Sequence, residues 1–157
     1  MKPIPTREAC KLLRDGAIAL AHVEAAGMRV DVPYLEKAIA DTRTKVRELE
    51  RTMTGSEVWK VWRRRFGGKA NLGSRPQLGV VLFDCMGYPY QGDFTGTGRF
   101  KTDDSTMADV DHPFVKDLLQ AEKLKKLIAT HLMGIKREVV DGFIHPMFNL
   151  NTVRTFR

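Results

Sequence analysis

The stretch from Asn71 to Ser105 sets small residues among arginine and lysine, and the chemistry such a segment suits is the holding of a polyanion. It reads Asn71-Leu72-Gly73-Ser74-Arg75-Pro76-Gln77-Leu78, an apolar run to Gly87, and then Thr95-Gly96-Thr97-Gly98-Arg99-Phe100-Lys101-Thr102. Small residues let backbone approach a partner closely, and Arg and Lys supply charge without forming a core. Ser74-Arg75-Pro76-Gln77 has the form of a capping box opening a short helix. The free N–H groups of such a helix start can receive a phosphate oxygen, although an ordinary cap needs no ligand. Lys116, Lys123, Lys125 and Lys126 make a later helix locally basic; most of them serve solubility, and one or two near the tip reach a backbone phosphate.

Between the two sits a mixed segment. Trp59, Trp62 and Phe66 interleave with Lys60, Arg63, Arg64 and Arg65, ahead of Gly67-Gly68-Lys69. Aromatics among cations stack on bases and neutralise phosphates. They also form a satellite core beneath a loop, with basic side chains snorkelling outward, and both readings stay open.

No catalytic constellation accompanies these residues. Asp103 and Asp104, followed by Ser105 and Thr106, read as caps and helix-dipole partners rather than an acid/base pair. Asp109, Asp111 and His112 are metal-type ligands at a spacing that fits no ligand pattern, and His22 sits beside an apolar helical face. Cys10 and Cys85 stand far apart, without metal-ligand spacing, which points to a reducing compartment.

The elements that must position the tip follow from periodicity. A helix is expected from an N-cap at Thr6, after the short lead Met1 to Pro5, to Ala26, stopped by Gly27. Its apolar face is Leu12, Leu13, Ala17, Leu20 and Val23, and Gly16 marks a close crossing. Met28 to Asp31 is an extended link. A second helix begins after Asp31, with Leu35, Ala38/Ile39, Thr42, Val46, Leu49 and Met53 as the seam of an antiparallel pair. In the short helix after Ser74, the residues Leu78, Val81, Leu82 and Cys85 face inward, and Gly87 stops it. The last long helix starts at Asp111-His112-Pro113 and ends near Gly134, with Leu118, Ala121, Leu124, Leu127/Ile128 and Leu132 as its seam. After the turn signal Asp141-Gly142, Phe143 to Leu150 reads as a strand that Pro146 confines to an edge or a bulge. Thr152 to Arg157 follows without a closing element. The expected class is mainly α: a long antiparallel helical hairpin with a small helical and loop tip, plus a short C-terminal β segment.

The 157 residues fit one domain or a piece of a larger one. A net charge of +7 and a sequence pI near 9.6 favour an anionic partner. No run approaches the roughly 18 apolar residues of a membrane span, and no secretory signal is present, so a cytoplasmic protein without a membrane partner is expected.

The order of these motifs resembles the family A DNA polymerases, of the bacterial polymerase I and phage type. Val23-Glu24-Ala25-Ala26-Gly27-Met28-Arg29-Val30-Asp31 is similar to the "E-x-x-G-hydrophobic-x-hydrophobic-D" that opens the family's polymerase region. Asn71 to Leu78, Leu82-Phe83 and Gly87-Tyr88-Pro89 resemble "F-N-x-x-S-x-x-Q-L-x-x-x-L-F-x-x-x-G-x-P". Thr97-Gly98 with Lys101-Thr102 resembles "T-G-x-x-S-T", and Leu124 to Thr130 resembles "L-x-K-L-x-x-T". Ile144 to Asn149 resembles "I-H-x-x-F-N", and Thr155-Phe156-Arg157 falls where the family has "T-G-R". The sequence departs from the pattern at Ala121-Glu122, where the family often has Tyr-Arg, at Phe156 in place of Gly, and at Val153 in place of Thr.

The resemblance implies a thumb subdomain with the first strand of a palm. Residues 1–31 would lead into the polymerase region, 32–135 form the thumb with its tip at 67–105, and 136–157 begin the palm. It implies that Asn71, Ser74, Arg75, Lys101, Thr102 and Lys126 contact primer–template duplex DNA, with Arg157 near the primer terminus. The palm carboxylates that hold Mg2+ and the nucleotide-binding fingers lie beyond Arg157 in this family. The chain alone is therefore expected to hold duplex without polymerising, with no cofactor of its own and a palm-and-fingers portion as partner. A stand-alone basic helical DNA-binding domain, or a protein adaptor using the Trp59/Trp62 patch, is the alternative.

Overall fold

In the computed structural model, residues 7–148 are described. Thr6 as a cap, the lead Met1 to Pro5 and everything from Asn149 to Arg157 lie outside them. The mainly α expectation holds. The helices are α1 (Arg7–Ala26), α2 (Val32–Gly55), α3 (Glu57–Phe66), α4 (Arg75–Gly79), α5 (Asp104–Ala108), α6 (Pro113–Lys126) and α7 (Met133–Glu138). Two-residue strands β1 (Met28–Arg29) and β2 (Phe143–Ile144) pair antiparallel, Met28 opposite Ile144. The chain divides into two compact units, residues 1–37 with 132–157, and residues 38–131.

In the first unit, α1 ends where the sequence requires. Gly27 takes φ +66°, and its N–H bonds to the Val23 carbonyl at 3.0 Å. The expected burial of α1 fails: none of its residues is buried, and Leu12 is 75% exposed. Periodicity specifies a face and not what covers it. Gly16 likewise marks no crossing, since a Cβ there would meet nothing within 4 Å.

Asp31 Oδ1 caps α2 by accepting from the Tyr34 N–H at 3.0 Å. Asp141 (φ 51°) and Gly142 (φ 81°) form a two-residue turn that lets Val140 and Phe143 exchange both backbone hydrogen bonds. The β segment is shorter than expected, ending at Ile144 among the described residues. Pro146 cannot donate to a ladder, and the His145 ring instead bonds the Glu24 carbonyl at 2.8 Å. Gly134 does not end the last helix; α7 continues to Glu138, and the first left-handed residue after it is Asp141.

The second unit carries the core. Met53, Val58, Trp62, Leu78, Val81, Leu82, Phe83, Met107, Phe114, Val115, Leu118 and Ala121 cluster there. The α2 seam is met, with Ile39, Val46 and Met53 buried. Glu50 on α2 pairs with Lys125 on α6 at 2.6 Å, and in the first unit Glu36 pairs with Lys136 at 2.8 Å. Beyond α4 the helix widens into a π-helical turn, Val80–Cys85. That wider turn changes the angular step, so Phe83 enters the core and Cys85, expected inside, is exposed.

Candidate nucleic-acid interface

The tip is built on α3, α4, the loop from Gly87 to Asp103 and α5. Ser56 caps α3 through Oγ, which accepts from the Trp59 N–H at 3.2 Å. One turn later Trp62 is fully buried, 6.2 Å from the Phe114 ring and 5.8 Å from that of Trp59. The interleaved segment therefore resolves in favour of core: Trp62 stacks on no base. Arg63, Arg64 and Arg65 remain exposed.

Gln77 acts differently from the capping box expected of it. Ser74 is the N-cap of α4 by position, yet its side chain makes no cap hydrogen bond. Gln77 Oε1 accepts from Trp62 Nε1 at 2.8 Å and from the Asn71 N–H at 3.1 Å, while its Nε2 donates to the Lys69 carbonyl at 3.0 Å. The buried indole is the stronger claimant, because an unpartnered N–H in the core is costly. Gln77 thus ties α3 and the loop after it to α4.

Of the residues singled out from sequence, Asn71, Ser74, Arg75 and Thr102 are brought together. The Ser74 N–H donates to the Asn71 carbonyl at 2.9 Å, and Asn71 Oδ1 accepts from the Gly73 N–H at 2.9 Å. Arg75 and Thr102 bond reciprocally: Arg75 Nη1 donates to the Thr102 carbonyl at 3.1 Å, and Thr102 Oγ1 donates to the Arg75 carbonyl at 3.2 Å. Arg75 Nη2 also pairs with Asp104 at 2.7 Å and with Glu122 on α6. The sequence reading missed this internal pairing of Arg75; Glu122, one of the departures noted above, was the available signal.

Lys101 is exposed beside Asp103, Nζ to Oδ2 3.4 Å, an exposed pair that holds little energy. Asp103 caps α5, accepting from the Thr106 hydroxyl and the Thr106 N–H, and those bonds hold its carboxyl well below the usual carboxylate range. Lys126 is exposed in the last turn of α6, and its side chain forms no hydrogen bond or ion pair among the described residues. Arg157 lies outside them.

Phe94 and Phe100 were not singled out from sequence. They bridge antiparallel across the turn Thr95 to Arg99, whose ends close through the Thr95 N–H to the Arg99 carbonyl at 2.7 Å. The alternation Phe94…Phe100 about Thr95-Gly96-Thr97-Gly98 was the legible signal. No group of three or more His, Cys, Asp or Glu that could hold a metal occurs among the described residues, and no helix among them is long and apolar enough to cross a membrane.

The family model described as DNA polymerase family A matches residues 34–157. The chain belongs to that family. This family A chain is 34% identical over 142 residues to a thermostable DNA polymerase I of Thermus thermophilus, the match covering 88% of the chain and 16% of that protein. It is 32% identical over 146 residues to DNA polymerase I of Geobacillus stearothermophilus, covering 88% of the chain and 15% of the relative. The chain thus spans about a sixth of the curated relatives' length. It is also similar, at 31% identity and a TM-score of 0.65 over 88% of its length, to the POL domain of Pol1 from M. smegmatis solved in complex with DNA primer-template and dNTP. The match covers 23% of that structure's chain.

Proposed function

We propose that this family A chain is the thumb-like part of a DNA-directed DNA polymerase, gripping primer–template duplex through its phosphate backbone and minor groove. The observation that carries the reading is the likeness to a polymerase domain held with primer-template DNA, combined with the small, polar and basic tip. Lys101 and Lys126, both exposed, supply the phosphate contacts. Asn71 and Ser74 offer short polar groups that reach phosphate or sugar oxygens and, in the minor groove, the acceptors shared by all base pairs' edges, which suits a sequence-tolerant grip. Thr102 and Arg75, bonded to each other, hold the Lys101 segment against α4 so that the lysine is presented rather than adrift.

Phosphoryl transfer in this reading belongs to a palm-and-fingers portion, on the same chain or another, whose carboxylates hold Mg2+ and neutralise the charge developing on the nucleotide phosphates. Arg157 approaches the primer terminus only in that larger assembly. An incorporation assay on the 157 residues with Mg2+, primer–template and nucleotides tests the division of labour: a mobility shift without extension is expected, and template-directed extension would contradict it. The adaptor alternative loses its main feature with the burial of Trp62.

A further inference from the structure

Gln77 holds the tip loop on both sides of Ala70. Its Oε1 accepts from the Asn71 N–H at 3.1 Å, and its Nε2 donates to the Lys69 carbonyl at 3.0 Å. The amide has one possible orientation, because the Asn71 and Trp62 N–H groups only donate and the Lys69 carbonyl only accepts. Two bonds from one planar amide fix the rotation of the loop as well as its place, where a single bond would leave a swivel. Ala70 and Leu72 also pack against the core, but apolar contact is non-directional and leaves that rotation open.

From this anchor the next polar groups follow bond by bond. The Asn71 carbonyl takes the Ser74 N–H, and Asn71 Oδ1 takes the Gly73 N–H, both at 2.9 Å. With Oδ1 committed, the exposed Asn71 side chain has only its Nδ2 hydrogens left to offer. Neither Asn71 Nδ2 nor the Ser74 hydroxyl has a hydrogen-bond partner among the described residues. We infer that Gln77 is a positioning residue for duplex binding: it acts through the loop, setting where Asn71 Nδ2 and Ser74 Oγ stand, rather than by touching DNA. The inference rests on the duplex grip and adds to it a residue that works from behind the contact surface.

Gln77→Met keeps the length of the side chain and removes all three of its bonds. The test places it in the parent chain, in Trp62→Phe and in N71A/S74A, each checked for native helicity by circular dichroism. A fluorescent primer–template duplex is titrated with each across a salt series. In the parent, Gln77→Met should weaken duplex binding about tenfold, the worth of one or two neutral hydrogen bonds. The log–log salt slope should stay unchanged, because Asn71 and Ser74 carry no charge. Trp62→Phe leaves no indole N–H to orphan, so Gln77→Met should there cost less Tm yet the same factor in affinity. In N71A/S74A it should leave affinity unchanged, since the groups it positions are gone. A purely structural Gln77 gives the reverse: an affinity loss that shrinks with the Tm loss in Trp62→Phe and persists in N71A/S74A. That pattern, or a folded Gln77→Met that binds duplex as the parent does, would overturn the inference. Lys101→Ala/Lys126→Ala separates the two claims. If it flattens the slope while Gln77→Met is without effect, only the positioning role falls; if the parent binds no duplex, the grip falls and this inference with it.

Discussion

Trp62 and Gln77, fifteen residues apart in sequence, are joined by a 2.8 Å hydrogen bond from the indole Nε1 to Oε1. The bond decides how the tip is built. Trp62 is fully buried and its one polar atom is satisfied by a side chain that also takes the Asn71 N–H. Gln77→Ala should therefore orphan the indole N–H and cost about 1–3 kcal/mol. Thermal unfolding followed by circular dichroism reads this as a lowered Tm; an unchanged Tm would mean that water replaces Gln77 without loss.

Arg75 makes the second junction, linking α4 to the Thr102 carbonyl and to Glu122 on α6. Glu122→Gln removes one of the two carboxylates that neutralise it, leaving Asp104, and raises the net charge by one. If Arg75 is then free to meet phosphate, the duplex salt slope steepens by about 1. Arg75→Ala instead loosens both partners, and its first readout is a fall in Tm rather than a uniform loss of affinity.

Gly79 and Gly16 make a contrasting pair. Both are helical, so alanine gains up to ~1 kcal/mol of propensity at either position. At Gly79 a Cβ would stand 2.9 Å from Phe100 Cβ, an atom bonded directly to the backbone, and 3.0 Å from Thr102 Cγ2. Overpacking of that kind costs about 1–3 kcal/mol, so Gly79→Ala lowers Tm. At Gly16 nothing lies within 4 Å, and Gly16→Ala raises or preserves it.

Asp103 gives the fold a dependence on acid. Its carboxyl is held low first by the Thr106 hydroxyl and next by the Thr106 N–H. A depressed folded-state value means that the cap contributes fully above the ordinary carboxylate range and is lost as pH falls below about 4 toward the folded value. Asp103→Asn should flatten the fall of Tm between about pH 4 and pH 2 relative to the parent. An identical acid profile in both proteins would assign the acid sensitivity to other carboxylates.

The helical scaffold was readable because it rests on local signals. The αL stop at Gly27, the caps at Asp31 and Asp103 and the seam from Ile39 to Met53 each follow from a residue type and a short spacing. What escaped the sequence depends on distant competitors. Gln77 had a cap to close and a buried indole to satisfy, and only the fold shows that the indole prevails. The ion pairs of Arg75 escaped notice because Asp104 and Glu122, 29 and 47 residues away, could not be seen to converge on it. Cys85 moved outward because a π-helical turn shifted the register by less than one residue per turn. The predicted contacts Asn71, Ser74 and Thr102 do converge, while Lys126 stands on another element.

The duplex grip is tested most directly by titrating a fluorescent primer–template duplex with the chain across a salt series, alongside Lys101→Ala/Lys126→Ala. With ~4–6 phosphates contacted, log K should fall against log salt with a slope of roughly −4 to −5. The double variant should flatten that slope by about 2 while keeping its helicity. A folded chain that fails to bind duplex at low salt, or a double variant with the parent's slope, would contradict the grip.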